Sequence, residues 1–398
     1  MPIHFFRIAL VLGLLQAIGP FAIDMDLPAL PSIGASLGAS AGAVQASLMA
    51  FFISLGLGQM VYGPASDMLG RKPPLYFGLL LFAVGSVGCA LAPDIHSLVV
   101  WRFIQGLGAC AGMVVPRAVV RDLHTGPEAA RLMALLTLVF SVSPILAPLF
   151  GSFLIEWSSW RAVFWAVTVA ALLAIVLLAT SLEETRSAEQ RQGSSLRGAM
   201  AGYALLLRDG HFIGLVLIGG FGISSFFAYL ANSSFVLIDH YGLTPRQYSY
   251  AFAANAASFI GMSQLTGRLV NRFGMLPLVR ASVVGYAGFM LLALALNLAG
   301  LDQLWLMLGL LFVGFGFLGL VLPTSSVLAL DEHGAIAGTA SALMGTLQFM
   351  TGAAVMAAVG LFVDGTARPM LGGIAGAALI TLLLTFKTLG RSAQPTGH

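Results

Sequence analysis

The chain has 398 residues, of which 58% are hydrophobic and only 9% charged, with a net charge of +3 from 19 Lys and Arg against 16 Asp and Glu. An ordinary soluble domain carries roughly 25% charged residues, so a water-exposed globule is excluded, and the scattered basic residues leave no footprint for nucleic acid. Two cysteines, Cys89 and Cys110, both inside apolar runs, argue against a disulfide scaffold and against a Cys/His metal site.

A bilayer core about 30 Å thick takes about 20 apolar residues per helix. Apolar runs between polar, Gly and Pro breaks predict transmembrane helices at 7–28, 42–63, 74–92, 97–118, 131–155 and 160–181. A second set follows at 211–238, 247–269, 276–298, 303–329, 335–361 and 368–389. Inside lipid each backbone N–H must be satisfied within its own segment, which favours helices. The first run, Ile8 to Ile23 behind Arg7, reads as a retained helix rather than a cleaved leader, because further spans follow at once.

The polar stretch from Glu183 to Asp209 reads as a cytoplasmic linker, giving bundles at 1–182 and 210–398 joined by 183–209. With both termini cytoplasmic, only Arg161, Arg246 and Arg368 fall outside and Arg102 falls within a span. The other 15 basic residues then lie on the inner side, the bias expected of a multi-pass protein. Displacing the chain by 204 residues brings Gly63, Asp67, Gly70 and Pro73 onto Gly267, Asn271, Gly274 and Pro277. The expected fold class is therefore an all-α membrane protein with twelve transmembrane helices in two six-helix pseudo-symmetric bundles, a plan common among secondary transporters.

Four segments carry a family resemblance. Gly63-Pro64-Ala65-Ser66-Asp67-Met68-Leu69-Gly70-Arg71-Lys72 resembles the loop signature of the major facilitator superfamily between its second and third helices. There the glycines would allow a tight turn and close helix approach. Asp67 beside Arg71 and Lys72, with Arg121 near the end of the fourth span, would form a breakable ion-pair latch. Ala22-Ile23-Asp24-Met25-Asp26-Leu27-Pro28-Ala29-Leu30-Pro31 is similar to the first-helix end of bicyclomycin/chloramphenicol-type exporters, where Tyr usually stands in place of Asp26. Arg102-Phe103-Ile104-Gln105-Gly106 resembles the fourth-helix motif of proton-coupled members. Ser143-Pro144-Ile145-Leu146-Ala147-Pro148-Leu149-Phe150-Gly151-Ser152 resembles the fifth-helix antiporter signature, built on Pro144, Pro148 and Gly151, with Ala147 and Ser152 in place of glycines.

Ionisable residues inside a membrane are expensive and mark function by default. Asp24 and Arg102 lie within predicted spans, and at 1.5 Å per residue both sit roughly 22–26 Å from the cytoplasmic edge. They are expected to interact, with Asp24 taking a proton from outside, loosening from Arg102, and releasing the proton inward as a drug leaves. Asp26, about 200° further round a continuous helix, is expected to be a surface acid near the outer mouth.

A substrate site is expected near the midplane, with Phe140, Phe226, Phe227, Tyr229, Asn232 and Asn255 as candidate liners. An apolar cavity with few polar groups suits lipophilic compounds. No Walker A sequence occurs and the only lysines are Lys72 and Lys387, so energy is expected from a proton gradient without a cofactor or metal. Gly314-Phe315-Gly316-Phe317-Leu318-Gly319 matches a dinucleotide pattern but has no preceding strand. Gly34-Ala35-Ser36-Leu37-Gly38 matches a nucleophile-elbow pattern but is expected in an outer loop.

The reading is thus a non-enzymatic, proton-coupled antiporter exporting lipophilic compounds by alternating access. Its expected setting is the bilayer of a bacterial inner membrane, as a monomer, without nucleic acid. A symporter or facilitator on the same fold is the alternative.

Overall fold

The computed structural model describes residues 3–124, 126–192 and 195–390, which form helices and no strand. The chain divides into two compact units, Met1–Ala201 and Gly202–His398. The first contains α1 (Ile3–Asp24), a 3-10 turn at Leu27–Ala29, α2 (Leu30–Leu37), α3 (Ala41–Leu69), α4 (Lys72–Leu91), α5 (Ile95–Leu123), α6 (Gly126–Trp157), α7 (Trp160–Ser181) and the short α8 (Ala188–Gln192). Helix α9 (Leu196–Arg208) carries the chain over the boundary. The second contains α10 (Gly210–Ser234) with a π-helical turn at Phe235–His240, α11 (Pro245–Phe273), α12 (Met275–Leu298), α13 (Leu304–Asp331), α14 (Ala337–Gly360) and α15 (Arg368–Leu389).

Eleven of the described helical stretches are long and apolar enough to cross a membrane. Helix α11 has the length but not the apolarity, because it carries Arg246, Gln247, Gln264, Arg268, Asn271 and Arg272. Side chains such as Phe77, Val84, Leu173 and Leu383 stay exposed, as lipid-facing residues should. This is a multi-pass, all-α membrane fold.

Each unit packs by one scheme. In the first, α3 and α4 lie on α5, α1 lies on α5, α6 and α7, and α4 lies on α7. In the second, α11 and α12 lie on α13, α10 lies on α13, α14 and α15, and α12 lies on α15. Displaced by the order of the elements, the two sets of neighbours are the same. Gly70 ends α3 at φ +96° and Gly274 ends α11 at φ +83°, a region that favours glycine. The 204-residue displacement found in the sequence therefore reappears in packing and backbone.

The first span departs from expectation. It breaks at Asp24 instead of running on to residue 28, and the chain turns through Met25 and Asp26 into the 3-10 turn. Pro28 has no N–H to give the Asp24 carbonyl and Pro31 none to give that of Leu27, so a continuous helix loses two bonds within one turn there. The expected outer loop at Gly34–Gly38 is helical as well, closed by Gly38 at φ +59°. Start signals elsewhere are conventional: Asp94 and Ser97 form a capping box on α5, and Thr244 and Gln247 form one on α11.

Glycine-mediated approach is dense around α5. A Cβ at Gly108 would lie 2.3 Å from the Phe82 nitrogen, and one at Gly112 would lie 2.5 Å from the Leu15 carbonyl oxygen. The small-residue face at 108–112 thus packs inside its own unit, against α4 and α1. Cys89 and Cys110 are free and fully buried in these contacts.

Candidate functional site

Arg102 projects from the first third of α5 and is 0% exposed. Its guanidinium sits 4.5 Å from the Phe51 ring centroid and 5.7 Å from that of Phe164, so aromatic faces from α3 and α7 help to shield the charge. Nη1 donates to Gln105 Oε1 at 2.7 Å and to the Ala22 carbonyl at 3.2 Å. Gln105 is itself held by Ser86, whose hydroxyl accepts its Nε2 at 2.8 Å. A main-chain carbonyl at the end of α1 and a buried amide thus orient the base before any acid is considered.

The acid that pairs with it is Asp26. Arg102 Nη2 lies 3.0 Å from Asp26 Oδ2, with 0% and 1% of the two side chains exposed. This overturns two expectations: Asp26 is no surface acid, and the counter-ion of Arg102 is not Asp24. The reason is the break after Asp24. The 200° separation assumed an unbroken helix, whereas the turn at Met25–Asp26 carries the second carboxylate back into the bundle.

Asp24 is also buried, and the hydroxyl of Ser143 from α6 lies 3.5 Å from its Oδ2. It makes no ion pair among the described residues. Asp26 Oδ1, Arg102 Nε and Arg102 Nη2 lack an aligned hydrogen-bond partner, so the Arg102–Asp26 contact is a meeting of charges off the N–H axis. Buried polar atoms left unsatisfied are rare in cores and gather at functional sites. Two carboxyls and one guanidinium stand at the break, the guanidinium paired with Asp26 alone, and a single proton would make the group neutral.

The antiporter-like segment of α6 closes over this break. Pro144 and Pro148 lie inside the helix. A Cβ at Gly151 would fall 2.0 Å from the Met25 carbonyl oxygen, so only glycine lets α6 press on the turn between the two acids. Ser143 and Gly151 therefore meet the break at Asp24 and Met25 from one helix, with Pro144 and Pro148 between them in the chain.

The second predicted cluster also assembles, with additional members. Arg71 is buried and forks onto Asp122 from α5, with Nε to Oδ2 at 2.6 Å and Nη2 to Oδ1 at 3.0 Å. Its Nη1 donates to Asp67 at 2.7 Å and to Ser66 at 2.9 Å. The segment after α7 straps over the outside. Glu184 accepts the main-chain N–H of Arg71 at 2.8 Å and of Lys72 at 3.1 Å, Thr185 donates to Asp122 at 3.1 Å, and Arg186 lies 3.4 Å from Asp67. Burial opposes the charge on Glu184, but those N–H groups, with that of Arg186 and the Arg191 charge, hold its carboxyl below the usual range.

Gly70 supplies the turn, as expected. Gly63 does not supply a close approach, since a Cβ there would meet nothing within 4 Å. Arg121 is exposed and lies outside this network of described bonds. The sequence reading missed Asp122, Glu184, Thr185 and Arg186. An acid beside Arg121 at the end of a basic helix was the one available signal.

The candidate liners do not form one set. Phe226, Tyr229 and Asn255 come together in a closed aromatic core of the second unit. There Tyr229 stacks on Phe252 at 5.6 Å, Phe226 stacks on Phe259 at 5.4 Å, and Asn255 donates to the Tyr229 hydroxyl at 3.1 Å. Phe227 stacks instead on Phe349 of α14 at 5.6 Å. Asn232 bonds back to the Ala228 carbonyl of its own helix at 2.9 Å. The side chain of Phe140 lies outside the described residues.

Known proteins resemble this chain over most of its length. The sequence model described as Major Facilitator Superfamily matches residues 12–357. The uncharacterized MFS-type transporter YdgK of Bacillus subtilis (strain 168) is 37% identical over 367 residues, covering 91% of this chain and 90% of that one. The bicyclomycin resistance protein homolog of Haemophilus influenzae is 28% identical over 98% of each chain. Multidrug resistance protein D of Escherichia coli (strain K12) is 29% identical over 92% of this chain and 91% of that one. Among solved structures, a D-xylose-proton symporter superposes with a TM-score of 0.74 at 18% identity, covering 97% of this chain and 98% of that one, a likeness that establishes the fold alone.

Proposed function

The chain belongs to the major facilitator superfamily, and from that premise we propose that it is a proton-coupled antiporter exporting lipophilic drugs or other small amphiphilic compounds by alternating access. The observation that carries this reading is Asp24, a carboxyl buried inside an apolar bundle with a hydroxyl as its only described partner and no cation of its own. An acid in such surroundings binds a proton or waits for a cation, and either event changes the charge of the helix that holds it. Relatives named for resistance to bicyclomycin, chloramphenicol and multiple drugs support an exported, drug-like cargo.

In this scheme Asp24 takes a proton from the outer side and returns it to the cytoplasm as cargo leaves. The Asp67–Arg71–Asp122 network acts as the latch between states, and Pro144, Pro148 and Gly151 transmit movement of α6 to the break beside Asp24. The protein works as a monomer in the inner membrane with both termini cytoplasmic and draws on the proton gradient alone.

Efflux of a drug panel from cells expressing the chain, with and without a protonophore, tests the proposal. Wild type should lower drug accumulation and lose that effect when the gradient is collapsed. Asp24→Asn should be expressed and folded yet show no gradient-dependent efflux. Full efflux by Asp24→Asn would sink this assignment.

A further inference from the structure

The second acid of the break is left without a role by the scheme above, and its position supplies one. Arg102 reaches the end of α1 from α5 and would be the natural counter-ion for any carboxylate there. The structure gives it Asp26 at 3.0 Å, with Gln105 at 2.7 Å and the Ala22 carbonyl at 3.2 Å accepting from its Nη1. Asp24 is thereby left to Ser143. Among the described residues the charged group that acts on Asp24 is Asp26 from its own break, while Arg102 of α5 is turned to Asp26. Helix α6 offers Asp24 the Ser143 hydroxyl, whereas the Phe164 ring of α7 faces Arg102 at 5.7 Å and the Cys89 thiol of α4 faces Gln105 at 3.9 Å.

We propose that Asp26 is a positioning residue that occupies Arg102 and so keeps the proton-binding carboxyl of Asp24 clear of a permanent cation. The inference rests on the antiport reading but goes beyond it by dividing the labour of two acids two residues apart. If Arg102 paired with Asp24, the fixed guanidinium would compete with the proton for the same oxygens. Because the Asp26–Arg102 pair is neutral as a whole, it imposes little net field on its neighbour while tying α5 to the break.

The sign of the effect is fixed. Removing Asp26 takes a like charge away from Asp24 and frees a cation to approach it, and both changes disfavour the protonated form. Protonophore-sensitive efflux of a neutral drug and of tetraphenylphosphonium is measured in everted vesicles across an external pH series. Asp26→Asn should displace the pH profile towards acid by about one unit or more, whereas Asp26→Glu should restore it.

Asp26→Asn leaves a buried charge alone and can fail to fold, so the neutral double variant Asp26→Asn/Arg102→Gln is measured beside it. With both charges gone its profile should fall back within a few tenths of a pH unit of wild type. A folded Asp26→Asn with an unmoved profile, or a folded double variant displaced as far as the single one, overturns the inference. Gradient-driven efflux that persists in Asp24→Asn defeats the antiport assignment itself, whatever Asp26 does.

Discussion

At Arg102 and Asp26 two opposed magnitudes nearly cancel. Their separation of 3.0 Å corresponds to a gross attraction of about 5.5 kcal/mol at an effective dielectric of about 20. Desolvating each ion costs several kcal/mol, so the intact pair adds little stability, while an orphaned partner costs about 3–5 kcal/mol. Such a pair persists for what it positions rather than for how firmly it holds. Arg71 is the opposite case, because its planar fork meets Asp122 with two parallel bonds and reaches Asp67 and Ser66 with the remaining donors. A lysine keeps the charge but cannot span both acids. Arg71→Lys is therefore expected to cost about 1–3 kcal/mol in thermal unfolding of the detergent-solubilised protein and to slow efflux. An unchanged melting temperature would show that charge alone suffices.

At the scale of elements, close contact of α6 with the broken first helix sets the geometry between the two acids. A Cβ added at Gly151 would lie 2.0 Å from the Met25 main-chain oxygen, which no rotamer change can move. Gly151→Ala should accordingly lose about 1–3 kcal/mol by overpacking and suppress efflux. Gly63→Ala is the internal control: the same added methyl meets open space inside α3 and should be neutral or stabilise by about 0.5–1 kcal/mol through helix propensity. Thermal melts of the two variants side by side separate a contact role from a general intolerance of bulk.

The same scale explains what the sequence could disclose. Helix positions, the repeat and the presence of Asp24, Arg102, Asp67 and Arg71 at one site or another follow from apolar length, spacing and charge placement, which are local properties. The partner of Arg102 was hidden because helical-wheel geometry presumes a continuing helix, although Pro28 and Pro31 announced the break. Asp122 and Glu184 were hidden because they meet Arg71 across 51 and 113 residues, and nothing local marks such a pairing.

For the molecule as a whole, the strap over the Arg71 network ties stability to pH with a definite sign. The folded state holds the Glu184 carboxyl below its ordinary range. The stabilisation is thus fully present above the unfolded value of about 4.3 and is lost as pH falls through the lower folded value. Melting temperature followed from pH 6 to pH 3 should fall for wild type, whereas Glu184→Gln should begin lower and fall less steeply. Parallel curves would remove Glu184 from the latch.

The two native thiols, Cys89 and Cys110, are both sealed within the α5 contacts. A maleimide added to intact cells should therefore pass over the natural chain. Single cysteines introduced around the Asp24 break can then be read by labelling against a silent background, with no need to build a thiol-free parent first.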